Sequence, residues 1–207
     1  DSPQARGSWH NQLCFVADDK EDNAFTFLRD ADETATNASG KVPELNITKI
    51  YLDAYKQYIN AAGQSCPDAS LALQNAVSGG SLMLNFTGHG GPDGITNENL
   101  FSRDVINTWN NKNRLFVLFT GSCKVARFDY LSMLQNGNYA PYVTAGEYAL
   151  LKEGGGAVAV ISTNRNTYSS GNIRLNNALM ECMVDREAVD PYAYRLGDIY
   201  RRAKNIA

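Results

Sequence analysis

Histidine is nearly absent from this chain: His10 and His89 are the two in 207 residues. Four cysteines, Cys14, Cys66, Cys123 and Cys182, form no CxxC pair. Together these scarcities exclude zinc-ligand spacing and a disulfide scaffold. Basic charge is not in excess either. A net charge of -3 gives no electrostatic reason to expect nucleic acid or an anionic membrane as partner. No apolar stretch approaches the roughly 20 residues of a spanning helix. There is no internal repeat, no low-complexity tract and no visible signal peptide. Several familiar motifs are also missing. Gly154-Gly155-Gly156 lacks the Lys-Ser/Thr of a phosphate loop, and Asp93 stands where GxGxxG needs its last glycine. Val125 breaks a GxSxG elbow after Gly121, and the aspartates form no EF-hand loop.

What is present reads as one α/β domain. Residues 1–11 are polar and linker-like, which leaves 12–207 as the folded unit. Short apolar runs at Leu13–Ala17, Thr48–Leu52, Ser81–Phe86, Leu115–Phe119 and Ala157–Ser162 predict five strands. Helical spacing is predicted over Phe25–Thr36, Pro67–Val77, Asp104–Trp109, Tyr142–Leu151, Ile173–Val184 and Ala193–Ile206. Strands separated by helices imply a mostly parallel sheet with helices on both faces. Cys14 and Cys182 read as core residues. Cys66, in Gly63-Gln64-Ser65-Cys66-Pro67, reads as a loop thiol with pairing left open.

Two segments carry the chemistry. Asn85-Phe86-Thr87-Gly88-His89-Gly90-Gly91 and Phe119-Thr120-Gly121-Ser122-Cys123 are buried-strand patterns that each stop at one reactive side chain. On neighbouring parallel strands, His89 and Cys123 meet at the carboxyl end of the sheet, where ligands bind. A thiol beside an imidazole is the minimal cysteine nucleophile. The blander readings are a glycine turn around His89 and a buried strand-end thiol at Cys123. Asp18-Asp19 ends another strand and reads either as a solvated cap or as a carboxylate that orients His89. Asp30 and Asp32 read as helix-surface residues, either of which would put a charge into a pocket if turned inward. The sequons at Asn37, Asn46 and Asn85 carry little weight.

With these residues in place, the chain resembles the gingipain family of cysteine peptidases, of the same clan as caspases. The resemblance rests on Asn85–Gly91, on Cys123 in its order after His89, on Leu13–Asp19 and on Ile161-Ser162-Thr163-Asn164. It implies a caspase-like three-layer sandwich and a cysteine-type endopeptidase. Cys123 would be the nucleophile and His89 the base, then acid. The amides of Gly90 and Cys123 would form the oxyanion hole, and Asp19 would support the histidine. Asp30, Thr87, Asn166 and Tyr168 would line the substrate pocket. No cofactor is required; structural calcium is carried by family members and is not readable here from any motif. Cys14–Asp19, Lys49–Gln57, Asn85–Gly91 and Arg127-Phe128-Asp129 also resemble the type IX secretion sortases of that family. That narrower likeness implies a catalytic domain from a larger surface protein of a Bacteroidetes-type bacterium. Its substrate would be the C-terminal region of exported cargo, its acyl acceptor a surface glycolipid, and its neighbours other secretion components. The family's smaller N-terminal subdomain has no room in these residues. A plain secreted endopeptidase and an inactive caspase-fold binding module are the competing readings.

Overall fold

The computed structural model describes residues 3–19, 26–61, 63–185 and 194–207. Its centre is a five-stranded parallel sheet: β1 (Gln12–Ala17), β2 (Asn46–Tyr51), β3 (Met83–Thr87), β4 (Phe116–Gly121) and β5 (Ala157–Ile161). Their spatial order is β5-β4-β3-β1-β2. The helices are α1 (Phe27–Lys41), α2 (Pro67–Gly79), α3 (Arg103–Asn107), α4 (Ala145–Leu151), α5 (Ser169–Met183) and α6 (Leu196–Ile206). Phe25 and Ala193, expected to open helices, lie outside the described residues.

Side-chain alternation along the strands builds two cores. Cys14, Val16, Leu84, Phe86 and Leu118 face one side, with Leu73 and Val77 of α2, Ile106 of α3 and Ala149 of α4. Leu13, Phe15, Ala17, Met83 and Phe119 face the other, with Ala31 and Ala35 of α1, Leu179 of α5 and Ile199 of α6. The three inner strands β1, β3 and β4 are therefore buried on both faces, which is why their sequences show runs with little polar alternation. Among the described residues no helix is long and apolar enough to cross a membrane.

Several boundaries move, each for a local reason. α4 starts at Ala145, not Tyr142. The Thr144 amide and hydroxyl both donate to the Glu147 carboxylate, a capping box that fixes the first turn. Tyr142 is drawn off by a hydrogen bond from its hydroxyl to Asp93. Residues 3–11 hold two 3-10 turns, and Trp9 of the second packs where a side chain on Gly80 would stand. Cys66 lies in the loop before α2, where it is buried and forms no disulfide. Small ribbons, absent from the periodicity, lie at Tyr58–Asn60 with Gly63–Ser65 and at Leu131–Met133 with Tyr139–Pro141.

One polar pair crosses the second core. Asn85 of β3 and Asn176 of α5 are each 1% exposed. Their amides bond reciprocally at 2.7 and 3.0 Å. Burial of Asn85 also removes its sequon from the folded surface. Asn176→Ala leaves the Asn85 amide unsatisfied and is expected to destabilise the domain by about 2–3 kcal/mol in urea unfolding. Asn85→Leu with Asn176→Leu removes both polar groups and should destabilise less than the single change. A double variant as unstable as the sum of its singles would refute this coupling.

Candidate active site

The sheet register places the reactive residues. Ala17 pairs with Thr87, and Thr87 pairs with Gly121. Asp19, His89 and Cys123 thus stand at equivalent positions, each two residues beyond the aligned ends of β1, β3 and β4. Chain order reverses beside β1: β2 lies on one side of it and β3 on the other. The site therefore opens at the carboxyl ends next to a topological switch point.

Glycine lets the β3 turn close on its neighbours. A Cβ at Gly88 would lie 2.3 Å from Asp18 Cβ and 2.6 Å from Phe86 Cζ. Across that gap the Asp18 amide donates to the Thr87 carbonyl at 3.0 Å. The His89 amide donates to Asp18 Oδ2 at 2.8 Å. The His89 ring meets Phe27 of α1 edge-on, with centroids 5.1 Å apart. A Cβ at Gly90 would lie 2.9 Å from Ser122 Oγ and 2.8 Å from Val125 Cγ2. That absent carbon lets the histidine loop touch the cysteine loop.

The cysteine loop is tied to the segment after β5. Lys124 turns with φ of +59°, and its amide donates to Thr163 Oγ1 at 3.0 Å and to the Arg165 carbonyl at 3.3 Å. The Thr163 hydroxyl donates to the Ser122 carbonyl. The Thr167 amide donates to Cys123 Sγ at 3.4 Å, and Asn172 Nδ2 of α5 donates to Thr167 Oγ1 at 2.8 Å. Farther out, Arg165 grips Asp129 through both carboxylate oxygens. Those hydrogen bonds hold the Asp129 carboxyl below the usual carboxylate range.

A cleft of about 140 Å³ lies between these loops, and both His89 and Cys123 line it, with Thr87 and Asp30. This is below the size of ordinary small-molecule pockets and suits a single side chain. Asp30 belongs to the first turn of α1, where the helix dipole favours an acid. Its side chain, 16% exposed, accepts from Thr26 and Arg29. Asp32, one of the two aspartates weighed for this role, turns away to Lys49 and the Tyr51 hydroxyl. The bond from Lys49 lowers its carboxyl pKa.

Other expected residues sit apart from the cleft wall. Asp19 is 9% exposed, and its Oδ2 accepts from Gln57 at 2.9 Å. Gly90 pairs with Ile95 in a short ribbon beside the cleft. Asn166 is exposed and Tyr168 is 86% exposed; from that segment Thr167 and Ser169 line the cleft. Phe27, Gln57, Thr167 and Asn172 escaped sequence reading. They carry no motif, and only contact across the fold brings them here.

A caspase-like α/β sandwich with a cysteine and a histidine at the carboxyl ends of adjacent parallel strands defines a cysteine-peptidase domain. The chain belongs to peptidase family C25, whose model matches residues 1–207. The fold is similar to the complex of Porphyromonas gingivalis RgpB pro- and mature domains, with TM-score 0.71, 19% identity, and coverage of 95% of this chain and 42% of that one. It is similar also to the Arg specific cysteine proteinase gingipain R (RGPB), with TM-score 0.69, 18% identity, and coverage of 96% and 42%. This chain thus spans less than half the length of either structure. No curated protein matches the sequence.

Proposed function

We propose that this domain is a cysteine endopeptidase acting on polypeptides with a basic side chain before the scissile bond. The convergence of His89 and Cys123 on one cleft carries the reading. Cys123 Sγ attacks the scissile carbonyl carbon while His89 takes the thiol proton. The amides of Gly90 and Cys123 receive the oxyanion. The C–N bond breaks as His89 returns the proton to the leaving amine, and a thioester is left on Cys123. Water then attacks the thioester with His89 as base, which releases the acid and restores the thiol. Asp19, at the end of the neighbouring strand, supports the histidine. No cofactor takes part in these steps.

Asp30 supports the choice of a basic side chain. It supplies a negative charge in a cleft sized for one residue, and Thr87 Oγ1 there is buried with no partner among the described residues. Asn166 and Tyr168 would contact the substrate at the rim. The test is hydrolysis of a fluorogenic peptide series varied at that position. Wild type should cleave after Arg or Lys. Asp30→Asn should lower kcat/KM for those peptides roughly 10–100-fold and leave neutral peptides nearly unchanged. Equal loss on both sets would rule out Asp30 as the specificity residue. No cleavage of any peptide would reject the enzymatic reading in favour of a binding module.

The resemblance of Cys14–Asp19, Lys49–Gln57, Asn85–Gly91 and Arg127–Asp129 to the type IX secretion sortase PorU supports a narrower reading. The substrate would be the C-terminal signal region of exported cargo at the cell surface, near other secretion components. An amine on a surface glycolipid would intercept the thioester in place of water. An amide product formed with an added amine acceptor would support the sortase; hydrolysis undiminished by saturating amine would favour the plain endopeptidase.

A further inference from the structure

One residue meets the sulfur of Cys123 and has no part in the peptidase steps above. The Thr167 amide donates to Cys123 Sγ at 3.4 Å, and the Thr167 carbonyl accepts from the thiol at 3.7 Å. The Thr167 hydroxyl oxygen lies 4.0 Å from the same sulfur. Asn172 of α5 sets the direction of that hydroxyl. Its Nδ2 donates to Thr167 Oγ1 at 2.8 Å. With the oxygen accepting from Asn172, the hydroxyl proton is free to donate, and Sγ is its remaining partner among the described hydrogen bonds.

The segment that presents Thr167 is held before it reaches the sulfur. Thr163 bonds Ser122 and Lys124 through its hydroxyl, and its carbonyl accepts from the Ala126 amide at 3.2 Å. The Arg165 carbonyl accepts from the Lys124 amide, and its guanidinium grips Asp129. Asn172 closes the other end, fixed in the first turn of α5 by its amide bond to the Tyr168 carbonyl at 3.1 Å. Donors fixed in advance stabilise charge without reorienting. A hydrogen bond to an anion is about twice as strong as one to a neutral group, so both Thr167 donors favour thiolate over thiol. The carbonyl contact, which favours the thiol, involves only a weak S–H donor.

We propose that Thr167 stabilises the Cys123 thiolate through its amide and hydroxyl, and that Asn172 is a positioning residue that sets the polarity of that hydroxyl. The inference rests on Cys123 as the nucleophile and adds a second support for the thiolate beside His89. The thiol proton still passes to His89. Thr167 donates hydrogen bonds and exchanges no proton.

The test is the iodoacetamide alkylation rate of Cys123 against pH, read on the whole domain by site-resolved mass spectrometry. At a pH about 2 below the midpoint of the wild-type profile, Thr167→Val and Asn172→Ala should each react roughly 3–10-fold more slowly. Their rates on the alkaline plateau should stay within about twofold of wild type. Thr167→Ser keeps the hydroxyl and should restore the wild-type profile. Asn172→Ala should add nothing in the Thr167→Val background, where no hydroxyl is left to orient. Its effect should persist in His89→Ala, because the donors act on sulfur directly. If Asn172→Ala does not fold, Asn172→Asp serves instead. A carboxylate only accepts, so it draws the hydroxyl proton off the sulfur, and the same slowing is expected in about 0.5 M salt, which screens the added charge. An unmoved profile in Thr167→Val overturns the proposal. So does a further slowing by Asn172→Ala in that background, or an Asn172 variant that lowers only the plateau rate or the melting midpoint. No readout needs hydrolysis, so a failed peptidase reading would show separately, as uncleaved peptides with these shifts intact.

Discussion

Replacing Cys123 with alanine is expected to lower kcat on any cleaved peptide by roughly 10⁴-fold or more, with the melting midpoint almost unchanged. The side chain is only partly buried and its sulfur contacts Thr167 alone among the described hydrogen bonds. Little packing is lost, so a large effect on rate with a small one on stability identifies a reacting group. The other cysteines cannot substitute, because Cys14, Cys66 and Cys182 are at most 1% exposed. Burial pushes the Cys14 thiol up to about 12, far from a nucleophile's range. His89→Ala should cost nearly as much as Cys123→Ala. The double variant should be no slower than either, because nucleophile and base act as one unit. Multiplying losses in the double variant would mean independent roles, and retention of activity within tenfold in Cys123→Ala would place the nucleophile elsewhere.

Gly88→Ala should have a large effect on folding. The added carbon falls 2.3 Å from Asp18 Cβ, well inside contact distance, and 2.6 Å from the Phe86 ring. Phe86 is fully buried and Asp18 is 1% exposed, so neither has open space to yield into. Overpacking there should destabilise by about 3 kcal/mol. Relief requires β1 and β3 to part at their ends, which stretches the bond from the His89 amide to Asp18. The folded fraction should therefore also lose at least about tenfold in kcat/KM. Gly91→Ala is the control. Nothing lies within 4 Å of its added carbon, and a change within about 0.5 kcal/mol is expected. Equal urea midpoints for the two variants would refute the close approach at Gly88.

The layers of this fold were legible because strand burial imposes a pattern on composition. Phe15 and Val16 face opposite cores, so both positions must be apolar and the run stands out. Small ribbons leave no such mark. In the Leu131–Met133 ribbon, Leu131 and Met133 are exposed, so no burial selects a period. Asp30 and Asp32 show the limit for the site. Two residues apart on one helix, they turn to different neighbours, and sequence spacing could not say which enters the cleft. Tyr168, aligned by resemblance with a pocket wall, is 86% exposed, while its neighbour Thr167 lies against the sulfur.

The sequence by itself determined the alternation of strand and helix, the five sheet strands, and His89 and Cys123 as a pair at strand ends. Those features are local: apolar run length, glycine after a strand, and the rarity of histidine. Tertiary structure decided the rest. The levelling of Ala17, Thr87 and Gly121 sets Asp19, His89 and Cys123 abreast. The Asp18 bond to the His89 amide and the Thr167 contact with sulfur join segments 71 and 44 residues apart. Register and burial across a sheet are collective properties of several strands, and no single segment encodes them.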